Sequence, residues 1–269
     1  MSDRRPASLA EQAERLRALH HGSEPLILAN AWDVASAAAI ERAGSAAIAT
    51  TSSGVAASLG YPDGEVVPVS EMLAAVGRIA AAVSVPVTAD MEAGYGLEAR
   101  ALVGGLLDAG AVGLNLEDTE GGSEPPGLVD VDRQVERLAA IRTAATDAGV
   151  PIVINARIDV FLRSSASLED RLADAIRRAR AYVGAGADCV FPIWLADADA
   201  IGRLVREVDA PVNILLRPGT PPIDALVRLG VRRISVGGGL ARHALDTTEA
   251  LARRLLAGDG TPFAELGES

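Results

Sequence analysis

A few short segments gather the side chains that could do chemistry. Asp90-Met91-Glu92, Glu117-Asp118 and Asn155-Ala156-Arg157-Ile158-Asp159 each set polar or charged groups at the end of an apolar run. Asn30-Ala31-Trp32-Asp33 and Thr50 to Val55 do the same with amide, carboxylate and hydroxyl groups. Carboxylates with no histidine or thiol beside them form an oxygen-only donor set, suited to Mg²⁺ or Mn²⁺ rather than zinc. Packed together, they would raise one another's pKa unless a cation neutralised them. Asp90, Glu92 and Glu117 are therefore the candidate metal ligands; the competing reading makes them helix caps or arginine partners. Arg157 carries a permanently charged planar fork that could clamp a substrate carboxylate or pair with Glu117, and the two roles are compatible. Ser53-Gly54-Val55 offers a hydroxyl and backbone N–H groups in a glycine-permitted turn, a cradle for a carboxylate or oxyanion. Asn213 ends a later run and is a further candidate for substrate contact. Gly237-Gly238-Gly239 could bind an anion before the last helix, but close packing is the preferred reading.

Composition removes several other chemistries. The 269 residues carry 25 basic and 36 acidic side chains, a net charge of −11, and every basic one is arginine. Without lysine there is no Schiff base, no anchored pyridoxal cofactor and no P-loop lysine. An acidic chain repels phosphate backbones, so nucleic acid is not an expected partner. The single Cys189 rules out an internal disulfide framework, and Ala187-Asp188-Cys189-Val190-Phe191 reads as a buried strand. His20, His21 and His243 fall at helix ends or on the surface by this reading, and no Ser-His-Asp arrangement is legible. The N-terminal segment has no apolar signal core, and Ala43 to Pro62 is too weakly apolar to span a bilayer. A cytoplasmic enzyme of small molecules, with no membrane partner, is expected.

The elements that must position these groups follow an alternating rhythm. Four β-rich runs follow an X-Pro pair: Leu26–Asn30, Val87–Asp90, Ile152–Arg157 and Val212–Leu215. Four more follow a helix-ending glycine (Gly44, Gly110, Gly186 or Gly230): Ala46–Thr50, Ala111–Glu117, Ala187–Pro192 and Val231–Val236. Glycine adopts the left-handed conformation that ends a helix, and proline cannot continue one. The two sets interleave, and Ser8-Leu9-Ala10-Glu11 and Ser167-Leu168-Glu169-Asp170 look like capping boxes for helices between them. Eight short apolar strands alternating with helices predict an α/β fold, a (β/α)₈ TIM-type barrel forming one domain over 1–269. A doubly wound open sheet is the alternative, but no G-x-G-x-x-G turn follows the first run. Two long stretches read as loops, 51–68 and 119–130, the second with the composition of an active-site lid. Barrel enzymes work at the C-terminal ends of their strands, where all the candidate residues fall.

Asn30 to Ala37, Ser58-Leu59-Gly60-Tyr61-Pro62-Asp63, Asp90-Met91-Glu92-Ala93-Gly94-Tyr95-Gly96, Asn115-Leu116-Glu117-Asp118 and Asn155 to Asp159 together resemble the isocitrate lyase/phosphoenolpyruvate mutase superfamily, in order, from about residue 24 to 257. The resemblance implies a barrel whose final helix, about 240–257, is exchanged between subunits, often in a dimer of dimers. It also implies Mg²⁺-dependent chemistry on small 2-oxo or 2-hydroxy acids. By that resemblance Asp90 would be the main metal ligand, with Glu92 and Glu117 bound directly or through water and Asp63 as a further carboxylate. Arg157, Ser53, Gly54 and Val55 would hold the substrate carboxylate, and Asp63, Glu117 and Arg157 would carry catalysis.

The departures narrow the activity. The Lys-Cys-Gly-His lid of isocitrate and methylisocitrate lyases is missing after Glu117-Asp118, and the lid also lacks the lysine and asparagine that handle a phosphoryl group. What remains is a metal cage and a 2-oxo-acid clamp. They suffice for C–C cleavage beside a 2-oxo carboxylate, such as oxaloacetate decarboxylation or a retro-aldol step, with water or Tyr61 as proton donor. The alternatives are P–C bond chemistry on phosphonopyruvate or phosphoenolpyruvate, or a carboxylate-binding barrel without catalysis.

Overall fold

The computed structural model describes residues 7–119 and 127–264. Among them, eight parallel strands alternate with helices. β1 is split at Ala29 into Leu26–Leu28 and Asn30–Ala31; β2 is Ile48–Thr50, β3 Val87–Asp90, β4 Gly113–Glu117, β5 Val153–Ile158, β6 Cys189–Pro192, β7 Asn213–Leu215 and β8 Arg233–Ser235. The first half of β1 pairs with β8 and β8 with β7, while its second half pairs with β2 and so on to β6. The seam between β6 and β7 is joined by a parallel bridge, Val190 to Val212. The ring of strands is thereby closed as a barrel, with the order the interleaved runs predicted.

The helices are α1 (Leu9–Leu19), α2 (Val34–Arg42), α3 (Ser52–Leu59), α4 (Val69–Ala81), α5 (Ala99–Asp108), α6 (Val131–Asp147), α7 (Val160–Arg163), α8 (Leu168–Gly184), α9 (Ala198–Glu207), α10 (Ile223–Arg228), α11 (Gly239–Leu256) and α12 (Thr261–Ala264). Ser8 and Glu11 form the expected reciprocal cap of α1, and Ser167 accepts from the Asp170 N–H at the start of α8. None of the described helices is long and apolar enough to cross a membrane. The stretch 51–68 is not a plain loop, because α3 lies inside it. Its serines and glycine hid the helix, which Gly60 ends at φ 86°. Of the candidate lid, Thr119 bridges Leu128 and Asp130 caps α6 through its side chain; residues 120–126 lie outside the described residues.

Several strands begin one or two residues later than their apolar runs, since the residues after each helix-ending glycine first cross the lower rim. The helices cover the outside of the barrel, and a large aliphatic core fills the space between them and the strands. Inside, the middle of the barrel departs from the branched aliphatic filling usual for this architecture. Asn115, Asn155, Cys189, Asn213 and Arg233 are buried there on successive strands. Below them α1 plugs the barrel with Ala13 and Leu16, packed on Leu26, Leu28, Ala47 and Val153. Gly113 makes room for that plug: a Cβ on it would sit 2.9 Å from the Leu16 Cδ2 and 3.1 Å from the Val153 carbonyl.

His20, expected at a helix end or on the surface, ends α1 but is buried. Its Nδ1 lies 2.8 Å from the Leu16 carbonyl and its Nε2 3.2 Å from the Arg233 Nη1. Arg233 can only donate, so Nε2 is the acceptor and Nδ1 carries the proton. Cys189 is buried as expected, and burial pushes its thiol up to about 12. Burial, with the Arg233 charge second, holds His20 down at about 4 against an ordinary 6.5. Between those values the unfolded chain binds a proton that the folded chain excludes. The stabilisation is therefore complete above pH 6.5 and is lost as pH falls toward 4, at about 1.4 kcal/mol per pH unit. Urea unfolding from pH 7 to 4.5 should show a steeper loss of stability in the native chain than in His20→Gln.

Candidate active site

The C-terminal rim of the barrel collects the acids the sequence pointed to. Asp90 ends β3, and its carboxylate is held from three sides. Its Oδ2 accepts from the Ser52 N–H (3.1 Å) and hydroxyl (2.8 Å), and its Oδ1 from Asn115 Nδ2 (3.3 Å). The Asn115 Oδ1 in turn accepts from Asn155 Nδ2 (2.8 Å) and Arg233 Nη2 (3.1 Å), which fixes the amide with its NH₂ toward Asp90. Asp90, Asn115 and Asn155 are register partners on β3, β4 and β5, so pairing of the strands alone brings them side by side.

Glu92 follows in a strained loop. Among the described residues four that are not glycine have positive φ: Glu65, Glu92, Tyr95 and Trp194. The first three interlock. Glu92 accepts from the Glu65 N–H (2.8 Å) and from the Tyr95 hydroxyl (2.6 Å), and the Tyr95 N–H donates to the Glu65 carboxylate. Burial, with the charges of Asp63 and Asp90, outweighs these hydrogen bonds and lifts Glu92 to about 7. Asp63 belongs to the same group: protein bulk and then the Asp90 charge raise it above the usual carboxylate range. Glu65 and Tyr95 were missed by sequence reasoning, since nothing in their identity marks a positive φ.

Glu117 ends β4 beside its register partner Arg157 on β5. Burial pushes Glu117 up, and the Arg157 guanidinium opposes that shift. The remaining Arg157 nitrogens go to Asp159, Nε to Oδ1 and Nη2 to Oδ2, both at 2.8 Å. All three nitrogens are thus engaged, and the fork is a carboxylate partner rather than a free clamp. A second buried group stands behind it. Asp118, with no exposed surface, accepts from the Asp159 N–H (2.8 Å), Arg178 Nη1 (3.0 Å) and the Tyr182 hydroxyl (2.7 Å). Arg178 and Tyr182 lie one turn apart on α8, and their inward-facing spacing was the only available signal for them.

Other expected site residues are placed differently. Ser53, Gly54 and Val55 form the first turn of α3, not a loop turn. Gly54 is required by contact, since a Cβ there would meet Thr51 at 2.7 Å and Trp32 at 2.8 Å. The Val55 N–H is spent on the Thr51 carbonyl, which leaves Ser53 and Gly54 as first-turn N–H groups. Asn213 is enclosed within the barrel, where its Oδ1 accepts from Ser235 Oγ (3.3 Å), so it does not line the mouth. The Tyr61 hydroxyl donates to Glu71 at the surface (3.0 Å). Gly238 is a packing glycine, with Ser53 Oγ 2.7 Å from where its Cβ would be.

The donor set is all oxygen and fits a hard divalent cation. Among the described residues, however, no three Asp, Glu, His or Cys side chains converge closely enough to hold one ion directly. Glu92 is turned to Glu65 and Tyr95, and Glu117 to Arg157. The arrangement fits an ion held by Asp90 with water between it and the other acids.

The sequence profile of the phosphoenolpyruvate phosphomutase family matches residues 16–256. An uncharacterised protein of Mycobacterium tuberculosis is 35% identical over 92% of this chain and 93% of its own. The 2-methylisocitrate lyase of Escherichia coli is 32% identical over 80% of this chain and 73% of its own. An oxaloacetate decarboxylase of Ectopseudomonas mendocina is 30% identical over 69% and 63%. Among solved structures, a candidate phosphonomutase from Burkholderia cenocepacia is 39% identical with a TM-score of 0.85, over 90% of this chain and 99% of its own. A phosphoenolpyruvate phosphomutase from Streptomyces platensis is 26% identical with a TM-score of 0.81, over 95% and 92%.

The buried pair behind the acids gives a direct test of what holds the rim. Arg178→Met leaves Asp118 buried without its cation and should cost about 3–5 kcal/mol, read as a shift in urea midpoint. Tyr182→Phe removes two hydrogen bonds to charged groups, one donated to Asp118 and one accepted from Arg178, and should cost about 1–3 kcal/mol.

Proposed function

The chain belongs to the phosphoenolpyruvate phosphomutase family, an enzyme family of lyases and mutases, and from that premise we propose that it is a Mg²⁺- or Mn²⁺-dependent lyase. Its substrate would be a small 2-oxo acid cleaved at a C–C bond, with oxaloacetate decarboxylation as the simplest case. One observation carries this reading: the charge at the rim is unbalanced. Arg157 offsets Glu117 and Asp159, and Arg178 offsets Asp118. Among the described residues Asp63, Asp90 and Glu92 form no ion pair; the Arg157 charge reaches Asp63 without offsetting burial, and Asp63 and Glu92 are pushed toward protonation. A divalent cation would relieve that repulsion.

A bound cation would supply Lewis-acid stabilisation for negative charge growing on the carbonyl oxygen of the substrate, worth several kcal/mol. Asp90 would hold it, fixed by Ser52 and Asn115, with Glu92 and Glu117 reached through water. The first-turn N–H groups of Ser53 and Gly54, at the positive end of α3, would orient a carboxylate. Arg157 would act by keeping Glu117 and Asp159 ionised and in place. Asp63, with a raised pKa, would hold the proton delivered to carbon, while the Tyr61 hydroxyl is engaged by Glu71.

A second reading, P–C chemistry on phosphonopyruvate, is favoured by the likeness to a candidate phosphonomutase. Pyruvate release from oxaloacetate should be saturable, require Mg²⁺ above the metal's own rate, and fall at least about a hundredfold in Asp90→Ala. Phosphate release from phosphonopyruvate with oxaloacetate untouched would select the second reading. Binding of either acid without turnover would leave the carboxylate-binding barrel.

Exchange of α11 between subunits is part of the same proposal. Ala241 is the one α11 residue that is buried, while Leu245, Leu255 and Leu256 are 63, 52 and 87% exposed. An apolar groove of about 930 Å³ lies open beside β1, lined by Leu19, Pro25, Ile27, Ile40 and Leu240. A second copy's α11 would fill it. Light scattering should give a multiple of the 27.6 kDa chain mass, and Leu255→Glu with Leu256→Glu should shift it toward the monomer.

A further inference from the structure

Three of the four left-handed non-glycine residues serve the acid cluster; the fourth, Trp194, does not. The turn Pro192–Leu195 beyond β6 is closed by the Leu195 N–H donating to the Pro192 carbonyl (3.2 Å). It places Trp194 at φ 69°, the position where such a turn ordinarily takes glycine or asparagine. A bulky side chain pays backbone strain here and yet stays 47% exposed. Core packing therefore does not account for it.

What the indole meets is Arg217, two residues beyond β7. The guanidinium carbon stands 4.5 Å from the ring centroid. Nη2 donates to the Trp194 carbonyl and Nη1 to the Pro218 carbonyl, both at 3.1 Å, while Nε is enclosed without an acceptor. The backbone is fixed as well, with the Arg217 N–H donating to Thr220 Oγ1 (3.0 Å) and that hydroxyl donating back to the Arg217 carbonyl (2.7 Å). Among the described residues Arg217 has no carboxylate partner, in a chain of net charge −11. Trp194 follows the C-terminal end of β6 and Arg217 that of β7, the same end of the barrel as the acids. Arg157, at the end of β5, is already taken by Glu117 and Asp159.

We infer that Trp194 and Arg217 form an anion subsite for the second carboxylate of a dicarboxylic substrate whose 2-oxo acid end lies at the acid cluster. The inference rests on the proposed lyase reading for the position of that end. A planar cation stacked on an aromatic ring is preorganised for a carboxylate, because the stack removes its rotamer freedom beforehand. Chemistry adds a constraint. A carboxylate gripped by arginine is stabilised as an anion and resists leaving as CO₂. In oxaloacetate decarboxylation the departing group would therefore stay outside the subsite, which serves instead substrates that keep their second carboxylate through a retro-aldol cleavage.

The test is calorimetric binding of two acids to the Mg²⁺-loaded full chain: 2-oxoglutarate, and 2-oxopentanoate, which matches its length without the far carboxylate. The native chain should prefer 2-oxoglutarate by roughly tenfold, the worth of one charge-assisted contact. Arg217→Met should abolish the preference without weakening 2-oxopentanoate, and Arg217→Lys should restore part of it. Trp194→Gly suits the turn, so it should fold at least as stably while losing much of the preference. Equal affinities in the native chain, or a preference that survives in Arg217→Met, would overturn the inference. Asp90→Ala separates the two readings: if it weakens both acids alike the acid cluster holds the shared end, and if it weakens neither while Arg217→Met still abolishes the preference, the subsite stands and the lyase reading falls.

Discussion

Arg157 is the side chain on which the rim of the barrel depends. Parallel pairing sets it directly beside Glu117, and its own strand carries Asp159 two residues on. Its three nitrogens serve both carboxylates. Without a guanidinium there, the ends of β4 and β5 would bury acids against one another, and an unpaired buried charge costs several kcal/mol. Arg178 repeats the solution one layer outward, for Asp118. The result is asymmetric. Beyond β4 and β5 charge is balanced by arginine, while among the described residues Asp63, Asp90 and Glu92, on the side built from β3 and the loop after α3, form no ion pair. That asymmetry, more than the number of acids, is what the proposed metal ion would relieve.

The acid-rich side is rigid for a different reason. Three left-handed residues, at a cost of about 1–3 kcal/mol each, are locked by the hydrogen bonds they make with one another. Gly94, itself at φ 87°, lets the Arg137 side chain cross the loop where any Cβ would collide with it. Glu92 therefore has little freedom to swing, and in the proposed metal site water would make up the distance. Such geometry suits Mg²⁺, which dehydrates reluctantly.

Rim and floor are also connected. Asn115 donates to Asp90 above and accepts from Arg233 below, and Arg233 reaches His20 on the helix that plugs the barrel. A barrel interior filled with aliphatic side chains could not hold the Asn115 amide in one orientation. The polar middle layer thus positions Asp90, and the space taken by Leu16 beneath it explains why β4 opens on glycine.

The sequence determined the eight-strand alternation, because helix-ending glycines and X-Pro pairs are local signals that act within a few residues. It also placed an oxygen-rich set of charged groups at strand ends, since Asp90, Glu92, Glu117 and Arg157 each follow an apolar run. It did not disclose α3, whose Ser-Ser-Gly start carries little helical signature. What each charged group faces was decided by tertiary structure. Register made Arg157 the partner of Glu117, a positive φ turned Glu92 to Tyr95, and barrel closure buried His20 on Arg233 and enclosed Asn213. Chain position says which residues reach the rim, but orientation comes from strand pairing, backbone dihedrals and neighbouring charges contributed by residues far apart in the chain.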